Sequence, residues 1–340
     1  MKSSLPVGKL PANLLGRLLE KVPANHPRLV LGPGIGLDCA VIDYGDTLLA
    51  IKSDPITFVT DQIGWYAVQV NSNDIATSGA TPRWFLATLL LPEGLTTEET
   101  AETIFAQVIK ACEDIEVTVI GGHTEITYGI DRPIVVGMMI GEVERGHLVT
   151  PKGAKPGDRV LVSKGVPIEA TAILAREFPA KLEAVIGADE LRQAADFLYQ
   201  PGISILRDVH LALTAGQVTS MHDPTEGGLL SALWELADAS GRSFYIDLGS
   251  VPVPTISRRI CQALKIDPFG AIASGSLLLT APEQAAENIR RAWEAEGIPC
   301  AEIGWVDEGP PQVYRANAAS RELIYRPERD EIARLFQAYN

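Results

Sequence analysis

Residues 61–82 constrain the fold more than any other stretch. Asp61 is a suitable N-cap, Gly79 a left-handed C-terminal stop, and Pro82 forbids continuation, so a helix is expected between them. At helical spacing Gly64, Ala67, Asn71, Asp74 and Ser78 share one face. Ile63, Trp65, Tyr66, Val68 and Val70 cover much of the rest. A largely buried helix thus carries one narrow stripe that is small, then polar, and ends in a carboxylate. A buried carboxylate is costly unless it is paired or bound to a metal. Asp74 therefore caps a turn, meets a cation, or holds a metal ion.

The helix sits among strands. Residues 28–31, 40–43 and 47–51 read as strands, with Tyr44-Gly45-Asp46 as a hairpin turn and Asp54 at the tip of the third. Residues 83–91 form an apolar run expected to be covered on both faces. A helix is expected over 96–115, then a strand over 117–120 that runs into the loop Gly121-Gly-His-Thr-Glu125, and another strand over 132–143. Glycine and proline accumulate over 146–158, which places the domain junction there and divides the chain into 1–147 and 148–340. A second α/β unit follows. Its strands are expected at 159–163, 218–221, 244–248, 276–280, 301–306, 312–315 and 323–325. Its helices are expected at 168–177, 188–199, 203–212, about 228–239, 282–296 and 330–337. At 340 residues, two domains are the natural expectation.

A net charge of −14 argues against a nucleic-acid partner, because phosphate contacts need a basic surface. It leaves nucleotides open, since a divalent cation can sit between carboxylates and phosphates. The four cysteines, Cys39, Cys112, Cys261 and Cys300, are scattered and form no C-x-x-C pair. The N-terminal residues lack a signal-peptide core and no run is long enough to span a membrane, so a cytoplasmic protein without a membrane partner is expected. Gly32-Pro-Gly-Ile-Gly36 is not a dinucleotide fingerprint, because a strand rather than a helix follows, and no G-K-[ST] closes a P-loop.

One pattern recurs. Asp38, Asp54, Asp74 and Asp223 each stand at a strand end or on a helix facing a loop, and His123 and Glu125 stand in a glycine-flanked loop after a strand. Gly121-Gly122 and Gly227-Gly228 allow close backbone approach. Gly227-Gly228 also opens a helix, whose free N–H groups suit a phosphate. Converging carboxylates repel by roughly 4 kcal/mol per pair at about 4 Å and an effective dielectric near 20. Magnesium ions bridging to phosphates relieve this.

These residues resemble a known family. Leu31-Gly-Pro-Gly-Ile-Gly-Leu-Asp-Cys-Ala-Val41, Asn71-Ser-Asn-Asp-Ile-Ala-Thr-Ser-Gly-Ala-Thr-Pro82, Gly121-Gly-His-Thr-Glu125 and Met221-His-Asp-Pro-Thr-Glu-Gly-Gly-Leu229 are similar, in order, to the motifs of the aminoimidazole ribonucleotide (AIR) synthase superfamily. The hydrogenase-maturation members resemble the chain most, through the Asp-Pro-Thr-Glu-Gly-Gly loop and Ile266-Asp-Pro-Phe-Gly-Ala-Ile-Ala-Ser-Gly-Ser-Leu-Leu278. The resemblance runs from about residue 8 to 306. It implies a two-domain α/β fold, with an N-terminal domain that pairs into a β-barrel homodimer and a C-terminal α/β sandwich.

The resemblance also implies ATP and Mg2+ as cofactors. Asp38, Asp54, Asp74 and Asp223 would be the metal ligands. Asn71, Gly121, Gly122, His123, Thr124, Glu125, Gly227 and Gly228 would be the cofactor-binding residues. Lys9 is expected over the γ-phosphate, with His222 or Glu226 handling the proton. Two departures stand out. Thiamine monophosphate kinases have an acidic residue where this chain has Leu37, and an aspartate where it has His123, a poorer ligand for a hard cation. The carbamoyl dehydratase of the superfamily ends in a substrate-carrying cysteine, whereas this sequence ends Phe336-Gln-Ala-Tyr-Asn340.

The expected activity is ATP-dependent phosphoryl transfer to an amide-type or related oxygen of a small-molecule or protein-borne acceptor. A small-metabolite kinase and a non-enzymatic nucleotide-binding partner in metal-cofactor assembly are the alternatives.

Overall fold

The computed structural model describes residues 5, 7–316 and 322–339. Two compact units are present. Residues 24–32 and 38–148 form the smaller one. The described parts of residues 1–23, 33–37 and 149–340 form the larger one, which begins with α1 (Ala12–Leu19).

The smaller unit contains β1 (Leu29–Leu31), β2 (Ala40–Asp43), β3 (Thr47–Ile56), α2 (Ile63–Thr77), β4 (Thr81–Pro92), α3 (Glu98–Asp114), β5 (Thr118–Thr127) and β6 (Ile134–Glu144). The strands form one sheet in the order β1-β2-β3-β6-β4-β5. Only β4 and β5 pair in parallel. Gly45, at φ +94°, makes the β2–β3 hairpin. On α2 every residue but Trp65 is buried, because the helix is held on two sides. A Cβ on Gly137 would lie 2.4 Å from Asn71 Nδ2, and one on Gly141 2.3 Å from Ile75 Cγ2, so these β6 glycines let α2 approach the sheet. On the other side Gly64 lies against the Ile104 carbonyl of α3. Thr97 caps α3 by accepting the Thr100 N–H at 3.1 Å.

Strand β4 alternates strictly. Phe85, Ala87, Leu89 and Leu91 are buried, while Trp84, Leu86, Thr88 and Leu90 are half-buried. The same alternation leaves Leu49, Ile51, Val136, Met138 and Ile140 half-buried on neighbouring strands. The smaller unit therefore covers one face of its sheet with α2 and leaves the other face, which is apolar, only half covered. The edge strand β5 is exposed almost end to end.

The larger unit contains β7 (Arg159–Ser163), α4 (Ile168–Glu177), α5 (Pro179–Ile186), α6 (Ala188–Ala195), α7 (Leu206–Ala215), β8 (Ser220–His222), α8 (Gly228–Ser240), β9 (Ser243–Ile246), α9 (Thr255–Leu264), β10 (Leu278–Ala281), α10 (Glu283–Ala295), β11 (Cys300–Asp307), β12 (Val313–Arg315) and α11 (Glu331–Tyr339). Its sheet runs β12-β9-β11-β7-β10-β8, with β12 parallel to β9 and the other pairs antiparallel. Val160, Val162, Leu233, Leu236, Phe244 and Ile303 lie in its core, which α8 and the sheet build together. No helix among the described residues is long and apolar enough to cross a membrane.

Several expectations need correction. The cap of α2 is Gln62, in the left-handed region at φ 57°, not Asp61. Strand β3 continues to Ile56, so Asp54 is paired to Gly137 inside a strand rather than standing at its tip. Gly121–Glu125 is not a loop, because β5 continues through it. Helices α5 and α9 were not expected. Of the strand expected at 323–325, only a single bridge from Leu323 to Tyr314 forms.

Candidate functional site

In the smaller unit, Lys52 and Asp54 alternate on β3 and point to the face that α2 covers, since their partners Met139 and Gly137 face α2. Lys52 Nζ lies 3.3 Å from Asp54 Oδ2 and 3.1 Å from Asp74 Oδ2. Burial opposes the charge on Lys52, but Asp74, Asp54 and Asp38 outweigh it and raise its pKa, so the ammonium persists. Asn71, fully buried, accepts the Asp54 N–H at 2.9 Å through Oδ1 and donates to the Ala67 carbonyl at 2.8 Å through Nδ2. Thr77 Oγ1 donates to Asp38 Oδ2 at 3.2 Å. Beside it the Cys39 thiol is pushed up to about 12, by burial first and by Asp38 next. Asp38, Asp54, Asp74 and Asn71 are thus gathered as expected of a charge cluster, but a lysine of this chain already relieves their repulsion. Lys52 was missed, although its place two residues before Asp54 on one strand face is a readable signal.

His123 and Glu125 do not join this group within the chain. They pair with Thr88 and Leu90 of β4, whereas the adjacent residue Ala87 pairs with Gly137 on the α2 side. His123 and Glu125 therefore lie on the opposite, half-covered face, exposed, with Nε2 and Oε2 3.2 Å apart. Thr124 pairs with the buried Leu89. Gly122 serves strand packing, since a Cβ there would come 1.9 Å from the Ala87 carbonyl oxygen. Gly121, beside it, pairs with Leu86.

In the larger unit, β8 delivers His222 and Asp223. His222 Nε2 lies 2.8 Å from Glu235 Oε2 on α8, and Arg326 Nη2 lies 2.7 Å from Oε1 of the same carboxylate while stacking over Trp234. Burial opposes ionisation of Glu235, but the His222 hydrogen bond and the charges of Lys9, His222 and Arg326 hold its pKa down to about 2. An ionised Glu235 only accepts, so Nε2 of His222 carries the proton. Asp223 is fully buried, and neither of its carboxylate oxygens has a hydrogen-bond partner among the described residues.

The next turn holds the chain to itself. Glu226 Oε1 accepts the Lys9 N–H at 2.9 Å, and Lys9 Nζ donates to Thr225 Oγ1 at 3.2 Å, so the arm carrying Lys9 is tied down. Gly227 donates to Asp330 Oδ2 at 2.6 Å, and Gly228 donates to the Thr225 carbonyl at 2.8 Å. The N–H groups expected to face a phosphate are engaged inside the protein. The two glycines are required by the turn itself, at φ +83° and +61°, with the Phe269 carbonyl 2.5 Å from where a Gly228 Cβ would stand. Burial pushes Asp330 up to about 6, against the N–H groups of Gly227 and Ile332. Glu169, at the start of α4, is pushed to about 7 by burial, with Ser274 opposing and Asp330 and Asp223 adding to the rise. Neither Asp330 nor Glu169 was singled out in the sequence.

Residues 36–143 match the model of the AIR synthase related protein N-terminal domain, and residues 155–315 that of the C-terminal domain. A putative hydrogenase expression/formation protein of Methanocaldococcus jannaschii is 28% identical over 89% of this chain and 90% of its own length. A carbamoyl dehydratase of Azotobacter vinelandii, HypE, is 30% identical over 74% of this chain and 72% of its own length. Among solved structures, the hydrogenase maturation protein HypE in complex with ATP superposes with a TM-score of 0.71 at 24% identity, covering 96% of this chain and 98% of the other.

Proposed function

Because this chain belongs to the AIR synthase related proteins, we propose that it is an ATP-dependent enzyme that transfers the γ-phosphoryl group of ATP to an amide-type or related oxygen of its acceptor. In this step the bond from the γ-phosphorus to the ADP oxygen breaks and a bond to the acceptor oxygen forms. The observation that carries the reading is Asp223, a fully buried carboxylate without a hydrogen-bond partner among the described residues. Such a group needs a cation. Oxygen donors alone suit magnesium, so Asp38, Asp54, Asp74 and Asp223 are the proposed ligands. When bound, Mg2+ would neutralise phosphate charge.

The chain's own residues do the rest. Asn71 fixes the β3 backbone at Asp54. Lys52 bridges Asp54 and Asp74 and offsets their charge before any ligand arrives. Glu235 orients His222 through Nε2, and Nδ1, 3.9 Å from Asp223 Oδ1, is the proposed nitrogen for proton transfer. Lys9 is held by Thr225 and Glu226 on the arm that lines a cavity beside the Glu226–Gly227 turn. The protein from A. vinelandii is named a carbamoyl dehydratase, and activation of an amide oxygen is the part of that chemistry proposed here.

A homodimer goes with this reading. The half-covered face of the smaller sheet, with Ile51, Leu86, Leu90, Val136, Met138 and Ile140, and the exposed β5 beside it need cover that a second copy supplies. Pairing of two such sheets is how the β-barrel would arise, and His123 and Glu125 lie on the face that would meet the second copy. Sedimentation should find a dimer at micromolar concentration. The chemistry is tested by ADP release from Mg-ATP over a panel of amide, thiocarboxamide and phosphate acceptors. Acceptor-stimulated release supports the reading, and failure to bind ATP at millimolar concentration refutes it.

A further inference from the structure

Within the larger unit, the N-terminal arm, the Glu226–Gly227 turn and the segment 326–330 enclose a cavity of about 460 Å3. That volume suits a small molecule. Its charges are unevenly matched. Arg326 is neutralised by Glu235. Glu226 Oε1 holds the Lys9 N–H, and both oxygens of Asp330 hold N–H groups, of Gly227 and Ile332. Lys9 and Arg329 are different. Lys9 Nζ bonds only a hydroxyl, and Arg329 Nη1 only the amide oxygen of Gln337. Arg329 Nε is buried without a hydrogen-bond partner among the described residues. Neither cation has a carboxylate within ion-pair distance among those residues, although the chain carries a net charge of −14 and Glu328 lines the same cavity. Two cations that make no ion pair among the described residues, on one small cavity, offer hydrogen-bond donors to an anion.

We infer that this cavity is the acceptor subsite and that the acceptor carries an anionic group, a carboxylate or a phosphate, which Lys9 and Arg329 hold. This rests on the ATP-dependent reading given above and adds the chemical class of the second substrate. Arg329, through a planar guanidinium with a free Nε–H, supplies directional recognition, and Lys9 supplies a point charge. The Asp330 bond to Gly227 fixes the wall between them.

The test uses the full chain without nucleotide, so that it is independent of ATP binding. Calorimetric titration compares inorganic phosphate, N-carbamoylglycine (an anionic amide) and urea (an uncharged one). At least one of the two anions should bind saturably at millimolar concentration or below, and urea should not. Which of the anions binds assigns the group as phosphate or carboxylate. Arg329→Gln should weaken that binding at least fivefold and leave Mg-ATP affinity within twofold of the parent. If Arg329→Gln does not fold, Lys9→Gln on the exposed arm reads the same loss of anion affinity. The inference is overturned if neither anion binds, if urea binds as well as they do, or if the substitution leaves anion affinity unchanged. An equal loss of ATP affinity in Arg329→Gln would also overturn it, by assigning the cavity to the nucleotide.

Discussion

The two units match their acids to cations differently. In the smaller one, Asp54 and Asp74 share a built-in cation, Lys52. In the larger one, Asp208 has Lys164 and Glu235 has His222 and Arg326, while Asp223 has His222 Nδ1 at 3.9 Å and Glu169 lies near Asp330 and Asp223. A carboxylate with its cation contributes to the ligand-free fold. One without a cation costs stability until something binds or a proton joins it. The difference separates acids whose charge is already matched in the resting protein from acids whose match is a ligand or a proton.

The comparison breaks most visibly at Lys52. Lys52→Met should destabilise the ligand-free protein by about 4 kcal/mol, because it removes the cation paired with the buried Asp74. Urea unfolding reads this, and a loss under about 1 kcal/mol would mean that the aspartates are solvated enough to need no lysine.

Glu169 sharpens the other side. Its folded pKa, about 7, lies above the ordinary 4.5. A raised carboxylate binds its proton more tightly when folded, so stability falls as pH rises from about 4.5 to 7 and stays low above that. Glu169→Gln removes this dependence. In metal-free buffer its stability relative to the parent should improve by up to about 3 kcal/mol between pH 5 and pH 8. Glu235 has the opposite sign, since its pKa is held near 2. Its contribution is present above about pH 4.5 and disappears as pH falls toward 2. A pH-independent difference between Glu169→Gln and the parent would show that Glu169 is not buried as an acid.

Asp74→Asn gives the smallest effect. It should weaken Mg-ATP binding about tenfold, near 1.4 kcal/mol. From the sequence alone, its thermal midpoint would be expected to hold or rise through relief of repulsion. With Lys52 3.1 Å away the midpoint should instead fall, because an ion pair is lost.

Much of this was legible before the fold was known. Gly79 and the helical spacing placed α2, and the polar stripe on it located Asn71 and Asp74. The apolar run of β4 suggested cover on both faces, whereas one face is only half covered. What was missed depends on distant partners. Lys52 acquires its meaning from Asp74, one helix later, and Asp330 reaches Gly227 across 103 residues. The glycine pair at 121–122 read as a ligand loop, yet Gly122 is there for the Ala87 carbonyl of the neighbouring strand. Helices α5 and α9 are short and begin next to prolines, Pro179 and Pro254, which in sequence look like loop signals.

Calorimetric titration of ATP, with and without magnesium, into the parent and Asp223→Asn tests the central claim most directly. Asp223 is the fully buried acid whose carboxylate has no hydrogen-bond partner to lose among the described residues. The account predicts binding that depends on magnesium and weakens at least tenfold in Asp223→Asn, while the ligand-free protein becomes no less stable. Equal ATP affinity in the two proteins would contradict it.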